Sequence, residues 1–450
     1  MNKEKLLEMF ESMSIIIVQS LEEKDQTEDR IETELFNEAK TPRYSTLTKK
    51  DIQTVIRNIL ITVGVKMNLA TCIKEEETNF EEWLNEERKV KTVRKYSQRY
   101  ERLLLEQKRF SKPTVLRQRE NIELILSNCG DPKNEKAWDR KGMVVGSVQS
   151  GKTSNYIGLI NEAVDHGYKI IIVIAGNNEN LRSQTQQRIN EGFIGEEKNM
   201  ATLRYSKIGV GLYSDKSINR VVTLTFKEYD FNIEQARQGA LKIEKNLKQP
   251  VVFVIKKNKD ILKNLLDWLK SSPALIGEEK IKLPLLLIDD EADNASINTA
   301  ASQKKINENK ALITMINKRI REILELFSNN SYIGYTATPF ANIFIDPDSD
   351  DEMYGKDLFP KDFIVGLEPP SNYFGPESIF NDRNTNDQNT DAYEFLLPIW
   401  DNEDYIPIKH KIDFEPLLPP SLKKAIRAFF IANAVKDQKG IFAIKCEINC

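Results

Sequence analysis

The octapeptide GSVQSGKT, Gly146 to Thr153, constrains this chain more than any other feature in it. It satisfies the spacing GxxxxGK[ST], in which glycines let the backbone curl until successive N–H groups converge on phosphate oxygens. Such a loop works between a buried strand and a helix N-terminus, whose dipole adds to the attraction for an anion. The sequence supplies both. MVVGS (143–147) precedes the loop, and a helical run from Lys152 to His166 follows it, closed by Gly167. The loop therefore predicts a phosphate cradle of Gly146, Ser147, Val148, Gln149, Ser150, Gly151 and Ser154. Within it, Lys152 is expected to act as a point charge on the outer phosphates of ATP, and Thr153 to offer its hydroxyl to Mg²⁺.

From Lys141 onward, short apolar runs alternate with longer helical stretches, the rhythm of a parallel α/β sheet. The expected strands are 143–147, 169–175, 221–226, 251–255, 283–289 and 331–336, most of them continuously apolar as strands buried on both faces must be. Helices are expected over Lys152 to His166, Asn180 to Asn190, Asp260 to Leu269 and Lys304 to Leu326. Before this region, residues 1–130 read as an all-helical N-terminal domain, with apolar residues at three- and four-residue spacing. The α/β domain is expected over 131–345. A Pro- and Asn-rich acidic stretch, 346–418, reads as a loop-rich insertion or linker, and a last helix begins near Pro420.

Two further strand ends carry chemistry. In LLLIDDEAD, Leu285 to Asp293, a buried strand runs into carboxylates at its C-terminal edge, where open α/β sheets bind their ligands. Asp290 is expected to hold the metal, and Glu291 to orient and deprotonate an attacking water, with Lys152 completing the catalytic set. The bland alternative is an acidic first turn of the next helix, a place that Asp and Glu favour anyway. In SYIGYTATPFAN, Ser331 to Asn342, another buried strand ends in the hydroxyls of Thr336 and Thr338. This is either an ordinary strand exit broken by Pro339 or, by resemblance to helicase-like ATPases, a segment that contacts the nucleotide site and couples it to movement.

Composition excludes several alternatives. Four cysteines without CxxC spacing argue against a disulfide framework or a zinc site and fit a reducing cytoplasm. Two histidines, His166 and His410, leave little material for a histidine metal centre. The N-terminus mixes acids with apolar residues, unlike a signal peptide, and no apolar run reaches the roughly 18 residues of a membrane span. The net charge of −3 says nothing about nucleic acid, but local charge does. Arg88 to Arg119 holds twelve Lys or Arg against two Glu, with Tyr96 and Tyr100 interleaved. That stretch could grip phosphates while its rings stack on bases, or be a long solvated helix paired with the acidic 75–87 segment. Arg182, Gln184 and Arg188, on or near one helix in the segment 170–189, are either a solvated helix face or, by resemblance to superfamily 2 helicases, a second contact with a nucleic-acid backbone.

Phosphate loop, acidic box and TATP, each on its own strand, follow the order of superfamily 2 helicases. With WDRKGMVVGSVQSGKTSNYIGLINEA, IAGNNENLRSQTQQRI and VFVIKKNKDILKNLLDWL, they resemble the bacterial Z-one domain proteins over roughly Thr114 to Lys439. Those are helicase-like ATPases associated with restriction-modification and anti-phage loci and described as endonucleases. The resemblance implies a RecA-like P-loop NTPase with nucleotide residues at Gly151, Lys152, Thr153, Asp290 and Glu291. It also implies DNA as a partner, together with other defence proteins such as a nuclease, a methyltransferase or a second ATPase. Family members are longer, and the domain that names them is only begun at 419–450. The last ten residues, IFAIKCEINC, depart from the family's continuation, so the chain reads as a truncated product without a second RecA-like lobe or its arginine finger. No PD…ExK arrangement supports a nuclease, since GEEK (277–280) is isolated. Beside the DNA-acting ATPase stands a second reading, a nucleotide-gated scaffold that recruits a nuclease or methyltransferase without translocating.

Overall fold

The computed structural model describes residues 3–21, 28–63, 69–74, 80, 82–108, 110–147, 151–199, 202, 204–239, 241–293, 306–339, 358–369, 399, 401, 405 and 417–438. The chain divides into two compact units, Met1–Tyr373 and Phe374–Cys450.

The first unit is α/β and is organised by a mostly parallel eight-stranded sheet. Its strands in chain order are β1 (Thr71–Lys74), β2 (Trp138–Gly146), β3 (Ile170–Ala175), β6 (Val222–Thr223), β7 (Val251–Ile255), β8 (Leu285–Asp290), β9 (Asn329–Thr336) and β10 (Phe363–Leu367). A separate two-stranded ribbon is formed by β4 (Glu196–Lys198) and β5 (Tyr205–Lys207). The spatial order of the large sheet is β1-β10-β2-β9-β8-β3-β7-β6, and only β1 runs antiparallel to its neighbour.

The apolar runs of β3, β7 and β8 alternate between two cores, as strands covered on both faces must. Ile171, Val173, Val252, Val254, Leu286 and Ile288 face one core, which they share with α5 (Lys95–Arg102), α6 (Lys112–Asn128) and α7 (Lys152–His166). Ile170, Ile172, Ile174, Phe253, Leu285 and Leu287 face the other, packed by α10 (Lys259–Lys270) and α11 (Ile306–Glu325). A third cluster, built by Leu6, Phe10, Ile31, Leu35, Tyr44 and Ile56, joins α1 (Lys3–Ser20), α2 (Glu28–Ala39) and α3 (Lys49–Val63).

Two expected segments are organised differently. The span read as all-helical contains β1, which pairs with β10 through Thr71↔Gly366 to Lys74↔Phe363. Its second half, including α4 (Glu86–Lys91), α5 and α6, belongs to the sheet's covering layer rather than to a separate domain. The stretch read as insertion or linker supplies β10, a core strand parallel to β2. A four-residue edge strand and a five-residue strand among acidic residues are too short for periodicity to reveal. The run expected as a strand over 221–226 is paired only at Val222 and Thr223. In the second unit, α12 (Pro420–Gln438) is described, and Ser421 donates its N–H to Asp401 Oδ2 at 2.9 Å. The divergent last ten residues lie outside the described ones.

Candidate functional site

The sheet brings the three motifs to one edge. The strands β2, β9 and β8 are consecutive neighbours, so Gly146, Thr336 and Asp290 end three adjacent parallel strands on the same side. Gly151, immediately before α7, has φ +94°, in the left-handed region that glycine tolerates. A Cβ there would meet nothing within 4 Å, so backbone conformation and not space demands the glycine. Lys152 folds back onto its own loop and donates to the carbonyls of Gly146 and Ser147 at 2.9 Å each. Burial lowers the pKa of its ammonium, while Asp290, Asp293 and Glu291 pull in the other direction. Val148, Gln149 and Ser150 lie outside the described residues.

The acidic box is held by bonds from several elements. Asp290 accepts a hydrogen bond from the Tyr156 hydroxyl at 3.2 Å, and that hydroxyl also reaches Thr153 and Thr185. Burial, then the neighbouring Glu291, pushes the Asp290 carboxyl up to about 6. Glu291 is exposed and has φ +57°, the single positive value among described non-glycine residues. Its carboxylate lies over the turn after β3, where a Cβ on Gly176 would be 3.5 Å from Glu291 Oε2. Ala292 donates its N–H to the Tyr335 carbonyl at 3.0 Å, and its methyl would meet a Cβ on Gly334 at 2.8 Å. Gly334 is thus required for the acidic turn to lie against β9. Thr338 donates its hydroxyl to Asp293, joining TATP to the box. Thr336 is buried, and its hydroxyl accepts from the Thr338 N–H at 2.9 Å, so it shapes its own turn.

The loop helix is gripped from behind. The Tyr100 hydroxyl contacts the Ser154 carbonyl at 2.9 Å and its hydroxyl at 3.0 Å, and Gln118 donates to the same hydroxyl at 2.9 Å. Ser154 is therefore a joint between α7 and the α5–α6 layer.

Both candidate nucleic-acid segments are corrected. Tyr96 and Tyr100 are buried, so neither ring is presented to a base. Arg94 pairs with Glu162 at 2.7 Å and Glu101 at 2.8 Å. Arg99, 4% exposed, donates to the Phe193 carbonyl and, at 2.8 Å, to Ser214. The basic stretch is neither a stacking platform nor one long helix. A π-helical turn over Leu103–Gln107 follows α5, and α6 begins only at Lys112. In the second segment, Arg182 is wholly buried, bonded to Glu179 at 2.6 Å and to the Lys227 carbonyl at 2.9 Å. Arg188, near the end of α8 (Glu179–Ile189), instead donates to the Thr153 hydroxyl at 3.2 Å.

Sequence reasoning missed Tyr156, along with Lys257 and Asp289 beneath the acidic box, and read Arg188 as a nucleic-acid contact rather than a partner of Thr153. Tyr156, one turn beyond Lys152 on α7, carried a usable signal in its helical spacing. Nothing in the sequence points from Arg188 to Thr153 without the packing of α8. No group of three or more His, Cys, Asp or Glu able to hold a metal occurs among the described residues. No described helix is long and apolar enough to cross a membrane.

No family model and no curated protein matches the chain. Among solved structures, it is similar to the ATP-dependent Type ISP restriction-modification enzyme LlaBIII bound to DNA, at 14% identity and a TM-score of 0.26. The match covers 60% of this chain and 15% of that one, so this chain spans a small part of that enzyme's length.

Proposed function

We propose that this chain is a helicase-like P-loop ATPase with a RecA-like sheet, which binds Mg-ATP and acts on DNA in bacterial restriction or anti-phage defence. The observation that carries the ATPase reading is the convergence of a left-handed Gly151, Lys152 and Thr153 with Asp290 and Glu291 at one edge of a parallel sheet. That edge is where open α/β sheets take their ligands. Lys152 exchanges its bonds to the loop carbonyls for the β- and γ-phosphates, and the α7 N-terminus adds its dipole. Thr153, which accepts from Arg188, and Asp290, which accepts from Tyr156, offer the hard oxygen donors that suit Mg²⁺. When bound, that ion neutralises phosphate charge. Glu291, exposed at the rim, orients the attacking water and takes its proton. Thr338, bonded to Asp293, carries the state of the acidic box to TATP. The DNA-directed half of the reading rests on the motif order and on the sequence resemblance to Z-one domain proteins.

Lys152→Ala tests the nucleotide site. Loss of a charged hydrogen bond is expected to weaken ATP binding by about 1.5–3 kcal/mol, roughly 10- to 150-fold, measured by titration with a fluorescent ATP analogue. Unchanged affinity would remove the assignment.

A nucleotide-gated scaffold is favoured by one observation. Within the basic segment expected to grip DNA, Tyr96, Arg99 and Tyr100 are buried, and Tyr100 and Gln118 hold Ser154 at the start of α7. ATP turnover with and without single- and double-stranded DNA separates the two readings. Stimulation by DNA supports the motor, and equal rates support the scaffold.

A further inference from the structure

Beneath the acidic box lies a buried ion pair that the phosphate chemistry does not use. Lys257, two residues beyond β7, and Asp289, the penultimate residue of β8, have side chains 1% and 0% exposed. The ammonium lies 2.6 Å from Asp289 Oδ1, and the Tyr332 hydroxyl of β9 donates to Oδ2 at 3.0 Å. The same ammonium donates to the backbone carbonyl of Glu291 at 2.8 Å. The Lys257 N–H donates to the Gly176 carbonyl at 2.7 Å, just past β3. One residue thus ties together the ends of β7, β8 and β3.

A buried ion pair is weak evidence of stabilisation, because desolvation offsets much of the attraction. Its geometry has a more specific consequence. Glu291 holds a left-handed backbone that a side-chain-bearing residue adopts only where its surroundings over-determine it. The Glu291 N–H is bonded to Asp290 Oδ1 at 3.2 Å, and the next N–H, on Ala292, to Tyr335. The carbonyl between them is the one that Lys257 takes. We propose that Lys257, seated on Asp289, is a positioning residue that fixes the Glu291 peptide and so holds its carboxylate where water is activated. This rests on the ATPase reading above.

The test is the double substitution Lys257→Met/Asp289→Asn, which removes both charges together and leaves no uncompensated ion. It is expected to bind a fluorescent ADP analogue within about twofold of the parent while kcat for ATP falls about 100-fold and KM stays nearly constant, the scale of a misplaced catalytic group. Added to Glu291→Gln, the pair is expected to cause little further loss, because both changes act through one carboxylate. Parental turnover in the double variant, or losses that multiply with Glu291→Gln, would overturn the proposal. Tyr332→Phe keeps both charges and loosens only the seat of Asp289. It is expected to lower kcat about 2- to 10-fold, and an unchanged kcat also counts against the proposal. A parent that binds ATP without hydrolysing it overturns the positioning role and leaves the nucleotide site standing. A parent whose ATP affinity ignores Lys152→Ala overturns the nucleotide reading itself.

Discussion

At the scale of single residues, Asp290 concentrates the tension between stability and function. Burial and the adjacent Glu291 raise its carboxyl from 3.8 to about 6 in the folded protein. The folded state therefore holds a proton that the unfolded state releases, and stability falls as pH rises between about 4 and about 6. Asp290→Asn removes the ionisation while keeping an acceptor for Tyr156. The variant is expected to unfold later than the parent at pH 7–8, by about 1–3 kcal/mol, and to match it near pH 4. Thermal melts across pH measure this, and a constant offset at every pH would contradict it. The same variant is expected to lose Mg²⁺-dependent ATP binding. The placements of Lys152, Thr153, Asp290 and Glu291 at one sheet edge were legible because each motif ends its own apolar strand. Those of Tyr156 and Lys257 were not, because their contacts arise only when α7 packs on β8 and β7 is set one strand away from it across β3.

Elements show why the basic stretch misled. Its composition reads as a surface, yet α5 is half buried against α7, and Arg94 just before it answers the half-buried Glu101 and the buried Glu162. Glu162, 3% exposed, illustrates the balance. Burial pushes its carboxyl up, but bonds from His166 and Arg94 outweigh that and hold it at about 2. A depressed folded value contributes stability above the ordinary 4.5 that is lost as pH falls through about 2. Arg94→Ala leaves Glu162 buried against only His166 and Ser97, and is expected to cost about 3–5 kcal/mol in urea denaturation, as broken buried pairs do. A cost under 1 kcal/mol would mean that the pair behaves as a surface contact. Charge count alone cannot distinguish a solvated face from a salt-bridged layer. That distinction depends on Glu162 of α7 arriving from 68 residues away. The parallel strands were legible, by contrast, because β-branched runs such as IIIVIA carry their burial in their own composition.

For the whole molecule, the side-chain bonds that hold α7 from behind originate, among the described residues, beyond α3. Tyr100, Gln118 and Arg94 follow β1, while α1, α2 and α3 share their own apolar cluster. A chain beginning at Leu69 is expected to bind an ATP analogue within about threefold of the parent, a change of less than 1 kcal/mol. One beginning at Trp138 is expected to lose binding, because Ile122, Ile125 and Leu126 no longer cover α7. Equal binding by the two chains would contradict the role given to α5 and α6. The placement of β2 also governs how the protein is made. Both of its sheet partners, β9 and β10, end about 190 and about 220 residues later in the chain. At a synthesis rate of about 5–20 residues per second, the strand that carries the phosphate loop waits roughly 10–45 s with both edges open. Unpaired edges invite pairing with other chains, so the yield of native protein depends on what shields the nascent β2 on the ribosome.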